Sequence, residues 1–138
     1  SNYDSRKAKQ ITKNNNVCLL FPWYPMERQV IVIGSASKIS EAESDSYFTS
    51  RPRGSQIGAW ASAQSAELSS RAELEKCYAE FEAKWPEGSV IPRPDFWGGY
   101  VVNPISIEFW QGRYSRLHDR IRYLRVKDNN WQIKRLNP

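Results

Sequence analysis

The sequence has few residues of the kinds that build metal sites or disulfide frameworks. Its 138 residues include two cysteines and one histidine. Cys18 and Cys77 lie in apolar patterns far apart in the chain, so we expect both to be small core residues in a reducing compartment. One histidine without a cysteine pair argues against a structural zinc ion, and no metal site is expected.

Long hydrophobic runs are also missing. The longest apolar stretches are residues 17–21 and 30–33, whereas a membrane-spanning helix needs about 20 apolar residues. Residues 1–7 are polar and do not resemble a signal peptide. We therefore expect a cytoplasmic protein with no membrane partner. Because the chain lacks an initiator methionine, we also expect it to start inside a longer protein or to be a trimmed form.

Size and charge favour one folded core with an anionic partner. A folded monomer of 16.0 kDa should expose about 7,400 Å² of surface, which leaves enough buried surface for one domain. Charged residues make up 25% of the chain, an ordinary value for a globular protein. The net charge of +5 favours phosphates, nucleic acids or an acidic surface as partners, without choosing among them.

Two helices are predicted in the first half of the chain from their capping residues. Ser5 is a suitable N-cap for a helix over residues 6–12. Ser40 and Glu43 form a capping box, which should open a helix that ends near residue 49. Pro52 prevents its continuation, because the residue before a proline avoids the helical region.

The clearest helix begins at a second capping box, formed by Ser70 and Glu73. Before it, residues 55–69 predict a short helix plus a loop, and after it the proline-rich residues 86–95 predict a loop. The apolar side chains that recur on one face of this helix are Leu74, Cys77, Tyr78, Phe81 and Trp85.

The remaining apolar segments predict β-strands. Residues 30–33 have no polar face, so the strand containing them should be covered on both sides. Residues 127–130 are suited to a hairpin turn between the last two strands. The predicted strands are residues 17–24, 29–36, 100–102, 105–111, 117–126 and 131–136. This order of elements indicates an α+β fold with a barrel-like sheet.

The first candidate site is the start of the first helix. The helix dipole disfavours cations at this end, yet Arg6 and Lys7 follow the Ser5 cap directly. Two cations there are explained by an anion bound among them and the free N–H groups of the first turn. The alternative is a solvated basic turn without a ligand.

The second candidate site is a phosphate cradle. Tyr47 and Arg51 are four residues apart at the end of a predicted helix and should share one face. Ser55 follows in a turn, so a phenol, a guanidinium and a hydroxyl could meet around one phosphate. The alternative is a tyrosine at the core edge and an arginine that the helix C-terminus favours without any ligand.

The third candidate site lies on the predicted strand 117–126. Alternate residues of a strand share a face, so Arg116, His118 and Arg120 should point the same way, with Asp119 on the other face. Such a cluster of cations requires an anion or carboxylates nearby. Trp110 could stack on a planar ligand or fill the core. The sequence contains no glycine-rich phosphate loop and no Ser/His/Asp motif.

These segments together resemble the pyridoxamine (pyridoxine) 5′-phosphate oxidase family. The signature is carried by residues 107–111, Ile-Glu-Phe-Trp-Gln, and residues 116–120, Arg-Leu-His-Asp-Arg. The resemblance covers essentially the whole chain. Further matching segments, in the family's order, are residues 5–7, 27–30, 50–52, 55–59, 64–65 and 96–99.

The resemblance implies a fold, a cofactor and a reaction. The fold is an α+β split β-barrel with flanking helices, here a single FMN-binding domain over residues 1–138 that corresponds to the C-terminal portion of the family's chain. The implied enzyme is a homodimer with flavin mononucleotide at its interface. It oxidises pyridoxamine or pyridoxine 5′-phosphate to pyridoxal 5′-phosphate, with hydride transfer to flavin N5 and reoxidation by O₂ to H₂O₂. The family also has upstream strands, with an arginine for flavin and a lysine for the substrate phosphate, that precede this chain.

The resemblance also implies residue roles. Arg116 and His118 correspond to the catalytic pair that lines the substrate pyridine. Ser1 stands where the family usually has a threonine that contacts flavin. The substrate-phosphate residues are Tyr47, Arg51 and Ser55. The flavin contacts are Ser1, Arg6, Lys7, Gln29, Gln64, Ser65, Trp110 and Arg120.

Two other functions stay open at this point. The same barrel could hold flavin or pyridoxal phosphate without catalysis, as a carrier or sensor. A basic, aromatic-rich barrel could also bind single-stranded nucleic acid. We do not expect a nucleic-acid partner, because the basic residues fall on the oxidase motifs.

Overall fold

The computed structural model describes residues 1–138, which form two compact units. We call residues 1–14 and 38–101 the helical unit, and residues 15–37 and 102–138 the sheet unit. The prediction that the chain is one domain is not tested by this division and stays a prediction.

The helical unit contains four helices around an aromatic core. They are α1 (Arg6–Lys13), α2 (Glu41–Ser50), α3 (Arg53–Ala61) and α4 (Arg71–Lys84). Phe48, Ile57, Ile91 and Trp97 are buried together at the centre. Tyr78, Phe81 and Trp85 pack against this centre, as the predicted apolar face of α4 requires.

Local capping explains where these helices begin. The Ser5 hydroxyl accepts a hydrogen bond from the Ala8 N–H at 3.3 Å. Both halves of the first capping box are present, since the Ser40 hydroxyl accepts the Glu43 N–H and the Glu43 carboxylate accepts the Ser40 N–H. The second box at α4 is only half formed, because the Glu73 carboxylate bonds to the Ser69 hydroxyl.

The strands form one five-stranded sheet in the order β1-β2-β3-β4-β5. They are β1 (Asn16–Trp23), β2 (Arg28–Lys38), β3 (Tyr100–Gln111), β4 (Asp119–Arg125) and β5 (Trp131–Leu136). β1 pairs with β2, β3 with β4 and β4 with β5, all antiparallel. The predicted α+β class is confirmed.

Two predicted strand boundaries are wrong. Residues 100–102 and 105–111 belong to one strand, β3, which continues through Pro104. Gly34 of β2 lies against this point, where a side chain would clash with the Asn103 carbonyl. The final strand pair is also shorter than predicted, because β4 begins at Asp119 rather than at residue 117.

The prediction of a single strand face for Arg116, His118 and Arg120 is therefore wrong. Arg116 lies in a short 3₁₀ turn, Tyr114–Arg116, and Ser115 and Arg116 have positive φ values of 57° and 61°. His118 follows this turn, and of the three only Arg120 belongs to β4. The predicted hairpin turn at residues 127–130 is confirmed, since Asp128 and Asn129 also adopt positive φ.

The sheet unit leaves more apolar surface exposed than the sequence predicted. Ile33 is 44% exposed, so the strand containing residues 30–33 is not covered on both sides. Cys18 is an exposed free thiol and Cys77 is half-buried, so the prediction of two core cysteines is wrong for Cys18.

The chain as a whole exposes 10,139 Å² of surface, which is more than the area of about 7,400 Å² expected for a folded monomer of its mass. None of its helices has the length and apolar character that spanning a membrane requires.

Candidate functional site

The first turn of α1 presents two cations beside a cavity. Arg6 and Lys7 are exposed, and no acidic residue lies in this turn. Arg6 lines a cavity of about 870 Å³ together with Gln64 and Ser65. Lys7 does not line this cavity. Three of the predicted flavin residues are thus brought together. Trp60 and Phe96 form an aromatic part of the cavity wall.

A second, smaller cavity joins the predicted flavin residues to the predicted phosphate cradle. The Gln64 side-chain oxygen accepts hydrogen bonds from the Asn2 N–H at 3.2 Å and the Ser1 hydroxyl at 3.5 Å. Ser1 and Gln64 line this cavity of about 260 Å³ together with Arg51 and Ser55. Residues from both predicted sets therefore face one space.

The cradle is held at the junction of α2 and α3. Arg51 is the C-cap of α2, and Pro52 is the N-cap residue of α3, whose N-terminus has no side-chain cap. Nη1 of Arg51 is buried and has no hydrogen-bond partner in the protein. Ser55 lies in the first turn of α3 and is exposed. An unpaired guanidinium donor beside an uncapped helix start fits an anion such as phosphate.

Tyr47 contributes differently from its predicted partners. It is 61% exposed, and its ring stacks on Trp97 at a centroid distance of 6.1 Å. It lines an open depression with Ser46 and Ser50 rather than the cavity that Arg51 and Ser55 share. The structure thus brings Arg51 and Ser55 together and does not bring Tyr47 to the same cavity.

In the sheet unit, His118 is fixed by two contacts. Its ring lies 4.7 Å from that of Trp110, and its Nδ1 accepts the Arg113 backbone N–H at 3.2 Å. A neutral imidazole with Nδ1 as acceptor carries its proton on Nε2. Gln29, Trp110 and His118 line a cavity of about 380 Å³. Three residues with predicted roles are therefore brought together here.

Arg120 and Arg116 do not line this cavity. Arg120 donates to the Glu108 carboxylate at 2.7 and 3.2 Å and to the Asn137 carbonyl at 3.1 Å. The Glu108 carboxylate raises the pKa of Arg120 further above its already high value. Arg116 is exposed on the preceding turn and does not line the cavity that His118 and Trp110 share. Of the third candidate site, only His118 thus lines this cavity.

Asp119 connects the turn before β4 to β5. Its two oxygens accept hydrogen bonds from Arg113 at 2.8 Å and Arg135 at 2.6 Å. These bonds lower the pKa of the Asp119 carboxyl below its ordinary value of 3.8. Arg113 thereby holds both Asp119, through its side chain, and His118, through its backbone.

Sequence reasoning missed three residues that shape these sites. Trp97 stacks on Tyr47 and lies 4.7 Å from the guanidinium carbon of Arg51, and Asn2 lines the two cavities that Gln64 also lines. Arg113 was missed because its contact with His118 uses the backbone, which a residue pattern does not reveal. Trp97 could have been found, since it lies in the segment 96–99 that carried part of the resemblance.

Two family models match the chain over most of its length. Residues 1–84 match the model described as pyridoxamine 5′-phosphate oxidase. Residues 97–138 match the pyridoxine 5′-phosphate oxidase C-terminal dimerisation region. The chain belongs to the pyridoxamine 5′-phosphate oxidase family. The family resemblance inferred from the sequence motifs is therefore confirmed.

Curated relatives in this oxidase family are similar along the whole chain. A pyridoxine/pyridoxamine 5′-phosphate oxidase of Rippkaea orientalis is 56% identical over 138 residues, and one of Streptomyces avermitilis is 51% identical. Both matches cover 100% of this chain, but only 65% and 62% of the respective relatives. The chain thus spans less than two thirds of their length.

Solved structures of the family agree with the fold. PhzG from Burkholderia lata, in complex with tetrahydrophenazine-1-carboxylic acid, superposes with a TM-score of 0.90 at 32% identity. The match covers 100% of this chain and 66% of PhzG. A pyridoxamine 5′-phosphate oxidase-related, FMN-binding protein from Nostoc punctiforme gives a TM-score of 0.70 at 14% identity, with 100% and 71% covered. The predicted split-barrel fold class is confirmed.

Proposed function

We propose that this chain is the main part of a flavin-dependent oxidase that converts pyridoxamine or pyridoxine 5′-phosphate to pyridoxal 5′-phosphate. The observation that carries the proposal is the small cavity lined by Arg51, Ser55, Ser1 and Gln64. It combines an unpaired buried guanidinium donor with residues assigned to flavin. A phosphorylated substrate lying beside a flavin accounts for the unpaired guanidinium and for the flavin-assigned residues in the same cavity.

In this proposal Arg51 and Ser55 bind the phosphate of the substrate. A phosphate ester carries nearly two negative charges at neutral pH, and a guanidinium fork can bond two of its oxygens. Binding energy from this remote group can be used to position the carbon that reacts. Tyr47 is assigned to the rim of the cradle, since it stacks on Trp97 next to Arg51.

Flavin mononucleotide is the proposed cofactor, and residues 1–138 are proposed to act as one flavin-binding domain. The redox chemistry supplied by bound flavin is hydride acceptance from the substrate C4′ carbon, followed by reoxidation by O₂ to H₂O₂. Arg6 and Lys7 would bind its phosphate at the start of α1. The other proposed contacts are Ser1, Gln29, Gln64, Ser65, Trp110 and Arg120.

His118 and Arg116 are proposed to act on the substrate ring. His118 holds a proton on Nε2, because Nδ1 is engaged by the Arg113 N–H. That proton is available for a hydrogen bond to the substrate. Arg116 is exposed and unpaired on the turn before β4, so its charge is free to bind an anionic substrate.

The proposed assembly is a homodimer. Its support is the match of residues 97–138 to a dimerisation region. Within these residues, one face of β3 to β5 exposes apolar side chains that include Ile105, Phe109 and Ile133. Burial of such a face against a second copy would remove it from water. A cytoplasmic location stays a prediction.

An absorbance spectrum followed by a turnover assay tests this function. We expect the purified protein to be yellow, to release flavin mononucleotide near one per subunit, and to have the mass of a dimer. With pyridoxamine 5′-phosphate and O₂ it should form pyridoxal 5′-phosphate and H₂O₂. Bound flavin without peroxide would instead support the non-catalytic carrier.

Oxidation of a different ring is the second candidate function. It is favoured by the similarity to PhzG, whose structure contains tetrahydrophenazine-1-carboxylic acid. The unpaired Arg51 donor and Ser55 favour a phosphorylated substrate over such a carboxylic acid, because phosphate offers more acceptor oxygens. Turnover of a reduced tricyclic acid without turnover of pyridoxamine 5′-phosphate would establish the second candidate instead.

A further inference from the structure

We infer that Trp97 positions Arg51 to bind the substrate phosphate, and that Arg93 holds Trp97 in place. The inference rests on the proposed function, because it concerns how the same cradle recognises a phosphate. In this account Trp97 and Arg93 act on the substrate through Arg51, so both are positioning residues.

The indole of Trp97 lies in the middle of a group of stacked side chains. The Tyr47 ring is nearly parallel to it, with an interplanar angle of 16°. The guanidinium carbon of Arg51 lies 4.7 Å from the indole centroid. Phe48 meets the indole edge-on at 5.2 Å, and Trp97 is only 8% exposed. Packing on several sides therefore fixes the orientation of the indole.

Stacking on an indole determines which bonds a guanidinium can make. A guanidinium held over an aromatic ring is attracted to the ring electrons and keeps N–H donors for other acceptors. In Arg51 one of these donors, Nη1, is buried and has no protein partner. Arg51, Ser55 and Trp97 line the same small cavity. The side chain of Arg51 makes no hydrogen bond within the protein, so the contact with Trp97 holds an unengaged guanidinium at the wall of this cavity.

Arg93 connects the Trp97 backbone to helix α2. Its Nη1 donates to the Trp97 carbonyl at 2.6 Å, and its Nε donates to the Asp45 carboxylate at 2.5 Å. The Arg93 side chain is only 11% exposed, so water competes weakly for its bond to the Trp97 carbonyl, whereas the Asp45 side chain is 60% exposed. Asp45 and Tyr47 belong to α2, and Arg51 caps it. One guanidinium therefore ties Trp97 to the helix that carries its stacking partners.

The test compares the flavin-loaded wild type with Trp97→Leu, Trp97→Phe and a control, Trp131→Leu. Trp131 is a matched control because the guanidinium carbon of Arg125 lies 5.5 Å from its ring centroid and neither residue lines the proposed cradle. Calorimetry measures the affinities for pyridoxal 5′-phosphate, pyridoxal and inorganic phosphate, none of which requires turnover. Steady-state assays with pyridoxamine 5′-phosphate separate KM from kcat.

We expect Trp97→Leu to weaken binding of pyridoxal 5′-phosphate and inorganic phosphate by about tenfold, the scale of a cation–π contact that is partly shielded from water. KM should rise by a similar factor with a smaller change in kcat. The affinity for pyridoxal should not change. Trp97→Phe keeps an aromatic face and should restore most of the phosphate affinity. Trp131→Leu should keep the wild-type ratio of the affinities for pyridoxal 5′-phosphate and pyridoxal.

Unchanged phosphate affinity in Trp97→Leu overturns the inference, and so does an equal loss for pyridoxal and its phosphate. If Trp97→Leu does not fold, Arg93→Met provides the second test. It should weaken phosphate binding in the same direction, and wild-type affinity would overturn the inference. If the wild type binds pyridoxal as tightly as pyridoxal 5′-phosphate, the proposed phosphate cradle itself is contradicted. Failure of the proposed function is therefore distinguishable from failure of the positioning role of Trp97.

Discussion

Arg51 combines two opposing energetic effects in one side chain. Its buried, unpaired Nη1 is unfavourable, because an unsatisfied buried donor costs about 1–3 kcal/mol. Stacking on Trp97 offsets part of this cost. The nearness of Arg51 to Ser55 could be predicted, since only a short turn at Pro52 separates them. The contact with Trp97 could not, because that residue comes from the loop after α4.

Arg6 gives a prediction for the cofactor. Replacing it by alanine removes a charged donor from the first turn of α1, a contact worth roughly 1.5–3 kcal/mol when made to a phosphate. Arg6→Ala should therefore weaken the affinity for flavin mononucleotide by about tenfold or more, measured by fluorescence titration of the apoprotein. Lys76→Ala, which removes an exposed cation on α4, is the control and should have a much smaller effect. Equal affinities in wild type and Arg6→Ala would remove Arg6 from the flavin site.

Among the secondary-structure elements, helix starts were predictable and some strand ends were not. The Ser5 and Ser40 caps bond to groups three residues away, so a short stretch of sequence determines them. The start of β4 depends on Ser115 and Arg116, whose positive φ values are uncommon for residues other than glycine. Such conformations cost about 1–3 kcal/mol and persist only where surrounding structure imposes them. Local sequence patterns do not contain that information.

Asp119 gives a prediction at the level of these elements. Hydrogen bonds from Arg113 and Arg135 lower its pKa in the folded protein, so its stabilising effect is present above its ordinary pKa and disappears as the pH falls through the lowered one. Asp119→Asn should therefore lower the urea midpoint of unfolding at pH 7, and the difference from wild type should narrow towards pH 3.

Asp128→Asn is the control for this measurement. Asp128 lies in the β4–β5 turn with a φ of 59°, which asparagine tolerates well. The urea midpoint of the Asp128→Asn variant should equal that of the wild type at pH 7 and at pH 3. A difference between Asp119→Asn and wild type that is equally large at pH 7 and pH 3 would contradict the role given to the two ion pairs.

The whole molecule contains long-range contacts that sequence patterns alone did not predict. Arg120 stays a proposed flavin contact, and in the structure it is engaged by Glu108 on the neighbouring strand and by the Asn137 carbonyl. The strand register that brings Glu108 and Arg120 together arises only on folding of the sheet. Similarly, the exposed area of 10,139 Å² exceeds the value expected from mass alone, because the sheet unit leaves apolar residues such as Ile33 uncovered.

Recognition of the substrate phosphate by Arg51 is the central claim, and one comparison tests it most directly. The measurement is kcat/KM for pyridoxamine 5′-phosphate and for pyridoxamine, in the flavin-loaded wild type and in Arg51→Ala. The wild type should strongly prefer the phosphate ester, and Arg51→Ala should reduce that preference roughly 10- to 100-fold by losing a charged hydrogen-bond donor. If the substitution instead lowers both values by the same factor, Arg51 does not bind the phosphate and the account is contradicted.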